Sequence, residues 1–350
     1  MSGISSTQFN LPWNQHERYR IALYAKGDGF PPPLLAVLTA AGLQAADERT
    51  VSVEAPRNWK PVWDGIYGLL ANSGAVAAVE ASVTAMTAIA DRRDSRPVPA
   101  IQHIAESLWL GDALIEERIM CYLQPVVSAR EKIFGYESFA RVRSSDGSVI
   151  AGDRIVAASH ALGIQHVIDR HLQVQAIRTF VSSEFNGFLF VNFFPGFIQR
   201  PAVYLEGLSE TARNFGVIAK HIVLDFTRSE MPRDITHLKS VCEYGRSRGY
   251  SIALDDVESV EVAKKLLPEI RPDFVKIDMR LARQAADPAA RNIIRRLVEL
   301  AHAGSSTVIG EGIETEDIYQ ALRQLGVDLF QGYLFAPPMP IEAALKRSAG

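Results

Sequence analysis

Apolar positions run through this chain in two rhythms. From about residue 105 onward, apolar runs of strand length alternate with segments of helical periodicity. The runs are "GFLFVNFF", "HIVLDFT", "SIALDD", "DFVKID", "STVIGEG" and "DLFQGYLF". Between them, stretches such as "ARNIIRRLVELAHAG" repeat their apolar residues at helical spacing and end on Gly or Asn. Ahead of them, "IQHIAESLWLGDALIEERI" predicts one amphipathic helix leading into a strand at "MCYLQPVV". Repeated strand–helix units predict a parallel sheet, and their number favours a (β/α)8 TIM-like barrel over an open doubly wound sheet. No G-x-G-x-x-G follows a strand, so dinucleotide binding has little support.

The first hundred residues read differently. "RIALYA" and "RTVSVEA" predict strands, "PPLLAVLTAAGLQ" and "WKPVWDGIYGLLAN" predict helices, and "GAVAAVEA" fits a further strand. That alternation predicts a small α/β domain over residues 1–100, joined by the charged, proline-bearing linker "DRRDSRPVPA" to a barrel over 105–350. "YAKGDGFPPP" is rich in turn residues and reads as a strand–helix loop.

Composition narrows the classes. The chain has 350 residues, 47% of them hydrophobic, with a formal net charge of −3. There is no basic excess to support DNA binding through phosphate neutralisation. The N-terminal segment lacks the apolar core of a secretory signal. The most membrane-like run, "SGAVAAVEASVTAMTAIA", contains Glu80 and consists mostly of small residues, so a buried helix or strand–helix pair is expected rather than a span. Cys121 and Cys242 stand far apart and outside any metal-ligand spacing, which fits a reducing cytoplasm. His160, His166 and His171 fall on one predicted helical stretch at spacings that do not make an i, i+4 ligand pair.

The chemistry lies where the strands end. Polar groups close the buried runs at Asn192, Asp225, Asp255 with Asp256, Lys276, Glu311 and Gln331. A charge in a barrel wall is costly unless paired or coordinated, and strand ends in a barrel open on one face. Carboxylates with an amide oxygen are hard-cation ligands. Mg²⁺ or Mn²⁺ activating water against a phosphate ester is the chemistry such a rim would perform.

These residues sit in blocks that resemble the EAL-domain family, whose members cleave cyclic di-GMP to the linear dinucleotide. "YLQPVVSAREKIFGYESFARV" is similar to the family's Y-Q-P-I-V strand and G-x-E-A-L-x-R signature, which here reads Glu137-Ser138-Phe139 with Arg141. "FVNFFP", "LDFTRSE", "IALDDVESV", "FVKID", "IGEGIET" and "FQGYLFAPPMP" continue the resemblance in order over about 110–345, leaving the first hundred residues uncovered. The resemblance implies an EAL-type barrel with Glu137, Asn192, Asp225 and Asp255 as metal ligands and Asp256 as ligand of a second metal. It implies that Lys276 contacts the attacking water and phosphate, with Glu311 closing the metal site in a general-base role. Gln124, Phe139, Arg141, Gln331 and Phe335 would contact the nucleotide, Arg141 as a phosphate fork and Phe335 as a guanine shelf. The implied cofactor is Mg²⁺ or Mn²⁺ in a possible two-metal site. The implied partners are cyclic di-GMP, a homodimer mate, and a protein reached through the N-terminal domain.

Three departures from the family pattern shape the functional expectation. Asp225 stands where the family has glutamate, shortening the side chain by one methylene at a position where hard cations demand geometry. The glycine-containing loop after the aspartate pair is replaced by Val257-Glu258-Ser259-Val260, and the glutamate that holds that loop is Arg228. A compensating Arg228–Glu258 pair would make substitutions at the two positions non-additive. The expectation is a domain that binds cyclic di-GMP with weak or absent hydrolysis. The alternatives are an active metal-dependent phosphodiesterase and an interaction module that binds no nucleotide.

Overall fold

A computed structural model describes residues 18–85, 95–182, 185, 187–193, 198, 200–227 and 235–348. The chain divides into two compact units, one of Met1–Ile119 with Val142–Val167 and the other of Met120–Arg141 with Ile168–Gly350.

The first unit begins with β1 (Arg18–Ala25), α1 (Pro32–Ala40), β2 (Gln44–Asp47), β3 (Thr50–Pro56), α2 (Lys60–Asn72) and β4 (Val79–Ala85). β5 (Arg96–Pro97), α3 (Val98–Ser107) and α4 (Trp109–Ile115) follow. Its antiparallel sheet has the order β2-β3-β1-β4-β5. The βαββαβ core with β1 between β3 and β4 is a split βαβ arrangement. β1 is buried on both faces from Ile21 to Ala25, and Trp59 and Trp63 are fully buried. The expected strand at "GAVAAVEA" is realised only from Val79, after a 3₁₀ turn over Val76–Ala78. The single helix expected across residues 101–119 is instead two, α3 and α4. At Leu108 the backbone keeps helical dihedrals, but Gly111 N–H bonds to its carbonyl at 3.0 Å, an i, i+3 bond that tightens the turn.

The barrel elements begin with β6 (Ile119–Ser128) and β7 (Ile133–Arg143); β8 (Val149–Ile150) and α5 (Gly152–Leu162) belong to the first unit, and the barrel resumes with α6 (Gln165–Ser182), β9 (Phe188–Phe193), α7 (Pro201–Asn214) and β10 (Ile222–Phe226). They continue through α8 (Ile235–Ser247), β11 (Ser251–Val257), α9 (Val260–Ile270), β12 (Phe274–Ile277), α10 (Met279–Ala282), α11 (Pro288–Ala303), β13 (Thr307–Gly310), α12 (Glu316–Gln324), β14 (Leu329–Phe330) and α13 (Ile341–Ser348). Strand order β6-β14-β13-β12-β11-β10-β9-β7, with β6 also paired to β7, closes the barrel. The all-parallel expectation fails at one strand: β6 runs antiparallel to β14. Residues 129–132 are too few for a crossover, so β6 and β7 form a hairpin, closed by Ser128 N–H to the Lys132 carbonyl at 2.9 Å. The histidines also divide. Gly163, at φ 68°, caps α5 in the left-handed region, leaving His160 on α5 and His166 and His171 on α6.

Among the described residues no helix is long and apolar enough to cross a membrane.

Between α6 and α7 the barrel shell encloses a polar knot. Tyr204 donates to the Asp169 carboxylate, and Gln173 Nε2 donates to both, at 3.1 Å to Asp169 and 3.0 Å to Tyr204. Burial pushes the Asp169 carboxyl up to about 7, outweighing the hydrogen bonds and the nearby Arg170 that pull it down. The folded chain therefore binds a proton that the unfolded chain releases near pH 4. Stability is fully present below that pH and is lost as pH rises toward 7. Asp169→Asn is expected to flatten the fall in urea-derived stability between pH 4.5 and 7.5 by roughly 2–4 kcal/mol. Parallel pH curves for the two proteins would refute the assignment.

Candidate metal and nucleotide site

The site follows from strand alternation. Val126, Phe190, Val223, Ala253, Phe274, Ile309 and Leu329 form one apolar cluster inside the barrel. In a strand the next residue on the same face is two positions on. Two positions beyond Phe190, Val223, Ala253, Phe274, Ile309 and Leu329 stand Asn192, Asp225, Asp255, Lys276, Glu311 and Gln331. On β6, which runs the other way, the matching residue is two positions before Val126, and it is Gln124. β7 contributes Glu137 in register with Phe190, two residues after Gly135. A Cβ at Gly135 would stand 2.6 Å from the Phe188 carbonyl oxygen, so only glycine lets β7 lie this close to β9. The polar rim is thus a second layer on an apolar plug.

Lys276 is the centre of that layer. Its side chain is fully buried, and Nζ lies 2.7 Å from Glu311 Oε1, 2.8 Å from Asp225 Oδ2, 3.1 Å from Glu137 Oε2 and 3.4 Å from Asp255 Oδ2. Burial alone would lower its pKa, but the surrounding carboxylates outweigh it and hold the ammonium firmly protonated. Glu137 also accepts from Asn192 Nδ2 at 3.2 Å and from Gln331 Nε2 at 2.9 Å. Gln331 reaches Gln124 Oε1 at 3.3 Å, and Gln124 donates to the Ala336 carbonyl at 2.9 Å. Burial, with Asp255 and Glu137 adding repulsion, keeps Asp225 well above the usual carboxylate range. Burial and Asp255 do the same at Glu311.

Adjacent aspartates on a regular strand face opposite ways, so Asp255 and Asp256 need a local break to share a site. β11 supplies it. Between Leu254 and Val257 its register with β12 gains one residue, and Asp256 takes φ 55°. Asp tolerates that left-handed conformation better than most residues. Asp255 Oδ1 accepts the Asp256 N–H at 2.7 Å and so braces the bulge. Burial first, then Asp255, pushes the Asp256 carboxyl up to about 6.

The oxygens meet in two groups suited to cations. Glu137, Asp225 and Asp255 each place an oxygen within 4.8 Å of the others, as do Asp255, Asp256 and Glu311. Asp225 thus reaches the cluster despite its shorter side chain. Its Oδ1 is buried without a hydrogen-bond partner, as is Gln331 Oε1. Orphaned hard oxygens beside carboxylates strained by mutual repulsion fit a divalent cation.

Of the nucleotide candidates, Arg141 lies with its guanidinium 5.5 Å from the Tyr122 ring centre and 5.9 Å from that of Phe139. Tyr122 was not singled out from sequence, though it stands two residues before Gln124 on the same strand face. Phe335 meets Tyr319 edge-on, with ring centres 5.4 Å apart, and packs partly against the core.

Arg228 lies outside the described residues. Glu258 is held from another direction: Arg280 Nη2 contacts Glu258 Oε2 at 3.1 Å, while Arg280 Nε donates to Asp278 Oδ1 at 3.0 Å. Ser259 caps α9 by accepting the Val262 N–H at 3.3 Å. The rewritten loop is therefore tied to α10, the short helix that follows β12, a contact no sequence pattern announced. Because the pair is exposed, Arg280→Ala is expected to leave stability nearly unchanged. It should weaken Mn²⁺ binding several-fold in calorimetry, by freeing the segment that carries Asp256. Unchanged Mn²⁺ affinity would show that the loop does not need this anchor.

An eight-stranded barrel carrying two hard-oxygen clusters around one lysine defines a class of α/β barrels with a metal-ready rim. The chain belongs to the EAL domain family, which matches residues 108–338. It is 26% identical over 260 residues to the probable cyclic di-GMP phosphodiesterase PdeI of Escherichia coli K12, covering 69% of this chain and 32% of that protein. It is 22% identical over 236 residues to the cyclic di-GMP phosphodiesterase PdeF of the same strain, covering 66% of this chain and 31% of that protein. The chain thus spans about a third of these relatives. Among solved structures, a standalone EAL protein from Vibrio cholerae O395 in its c-di-GMP-bound form is 28% identical, with a TM-score of 0.55, covering 63% of this chain and 92% of that one. The PaMucR phosphodiesterase, in complex with c-di-GMP, shares the fold at 22% identity and a TM-score of 0.61, covering 68% of this chain and 99% of that one.

Proposed function

We propose that this EAL domain binds cyclic di-GMP on the barrel rim and hydrolyses it slowly with divalent metal. The carrying observation is that both oxygen clusters assemble, Asp225 included, within reach of Lys276. Glu137, Asn192, Asp225 and Asp255 would hold one cation, and Asp255, Asp256 and Glu311 a second. Bound there, the cations would supply Lewis-acid polarisation of the phosphate.

The chain's own residues carry the rest. Arg141 offers a planar fork to a phosphate, backed by the Tyr122 and Phe139 rings. Gln124 and Gln331 orient the ligand at the rim floor. Lys276 stays protonated and balances charge gathering on the phosphate oxygens. Glu311 would accept the proton of the attacking water as the new P–O bond forms, and the ester P–O bond that breaks to open the ring would release a ribose oxygen that takes a proton from solvent. Residues 1–100 are proposed as a regulatory or interaction domain, and the cytoplasm as the compartment.

A receptor without turnover is the second reading. It is favoured by the ammonium of Lys276 contacting four carboxylates at once and by the loss of the glycine loop. Calorimetry with cyclic di-GMP and Ca²⁺, then turnover assays with Mg²⁺ and Mn²⁺, separate the two. Binding with measurable turnover supports the enzyme. Binding alone selects the receptor, and the absence of both overturns the nucleotide reading.

A further inference from the structure

A second cavity, sharing no residue with the rim, lies within the first unit between α3 and α5. It is an open groove of about 560 Å³, lined by Arg96, His103, Glu106, Trp109, Arg154 and His160 over a floor of alanines. Small residues on both helices make the room. The volume lies within the range of small-ligand sites.

The lining is chemically one-sided. Two guanidiniums and two imidazoles face a single carboxylate. That carboxylate, Glu106, already accepts a hydrogen bond from Gln102 Nε2 at 2.8 Å. Arginines are charged at every working pH, so the cavity holds net positive charge and an anion entering it is favoured. Arg154 places its guanidinium 6.0 Å from the centre of the Trp109 ring, so a flat cation and a flat aromatic surface stand side by side. Guanidinium forks pair with phosphate oxygens, and the indole and guanidinium planes offer stacking to a ring.

We propose that this groove binds a phosphate-bearing small molecule with a planar ring, of mononucleotide size. The site is independent of the rim chemistry and gives the first unit a ligand of its own.

The test is calorimetry on the full chain with three probes: guanosine 5′-monophosphate, guanosine, and inorganic phosphate. The nucleotide is expected to bind at least tenfold more tightly than either fragment. Arg154→Ala combined with His160→Ala should weaken it tenfold or more. Both side chains are exposed, so folding is expected to survive, which a thermal melt verifies. Trp109→Phe should weaken the nucleotide and leave phosphate unchanged. No heat with the nucleotide, or equal affinity in the double variant, would overturn the proposal, the latter by placing binding elsewhere. Phosphate binding as tightly as the nucleotide would overturn the ring requirement.

Discussion

Lys276→Met is expected to destabilise the barrel by about 3–5 kcal/mol, because it strands buried carboxylates that have lost their counter-ion. For a domain of this size that corresponds to a fall in Tm of roughly 6–20 °C. The cause is visible in four contacts: Glu137, Asp225, Asp255 and Glu311 all lie within 3.4 Å of one ammonium. Methionine fills similar volume, so the loss isolates charge from packing. The same argument predicts rescue. Millimolar Ca²⁺ or Mn²⁺ should restore most of the lost Tm, since a cation held by those oxygens replaces the missing charge and binds only the folded state. A variant as stable as the parent would mean the acids are neutral already. An unstable variant that metal fails to restore would mean the oxygens do not form a cation site.

The rim was legible because each member obeys a rule visible in one dimension. A polar residue closing a buried apolar run must be compensated somewhere, and several such runs in one barrel share an end. Asn192, Asp225, Lys276 and Glu311 follow from that alone, and alternation from the apolar plug would have added the depth of the layer. What escaped depends on geometry the pattern does not encode. β6 reverses because its link to β7 is short, and so Gln124 enters the site from the opposite strand direction. The aspartate pair works as a pair only through a bulge at Asp256, whose φ of 55° no neighbouring glycine advertises. The anchor of the rewritten loop is a tertiary contact from Arg280, more than twenty positions away, and nothing local marks it. Phe335 is expected as a guanine shelf, and its edge-on contact with Tyr319 shows the core engaging part of the same ring.

Glu137→Ala should reduce kcat/KM for cyclic di-GMP with Mn²⁺ by a hundredfold or more, while weakening nucleotide binding in Ca²⁺ far less. Glu137 is the acceptor on which three strands converge: Lys276 at 3.1 Å, Asn192 at 3.2 Å and Gln331 at 2.9 Å all donate to it. Removing it deprives the Asp225–Asp255 cluster of its third carboxylate and takes one contact from each of three side chains that must be fixed for a water and a phosphate to align. Arg141 packs on Tyr122 and Phe139 rather than on Glu137, so under the proposed binding mode the ligand would keep its phosphate fork and aromatic support. Glu137→Gln separates the two roles. It keeps the side-chain volume but removes the charge, and its amide would face the donors of Lys276, Asn192 and Gln331. If charge on the cation-holding cluster governs turnover, Gln should be nearly as inactive as Ala. If shape governs, Gln should recover most of the rate. Full activity in Glu137→Ala would detach turnover from this rim altogether, because no other described group can replace an acceptor shared by three strands.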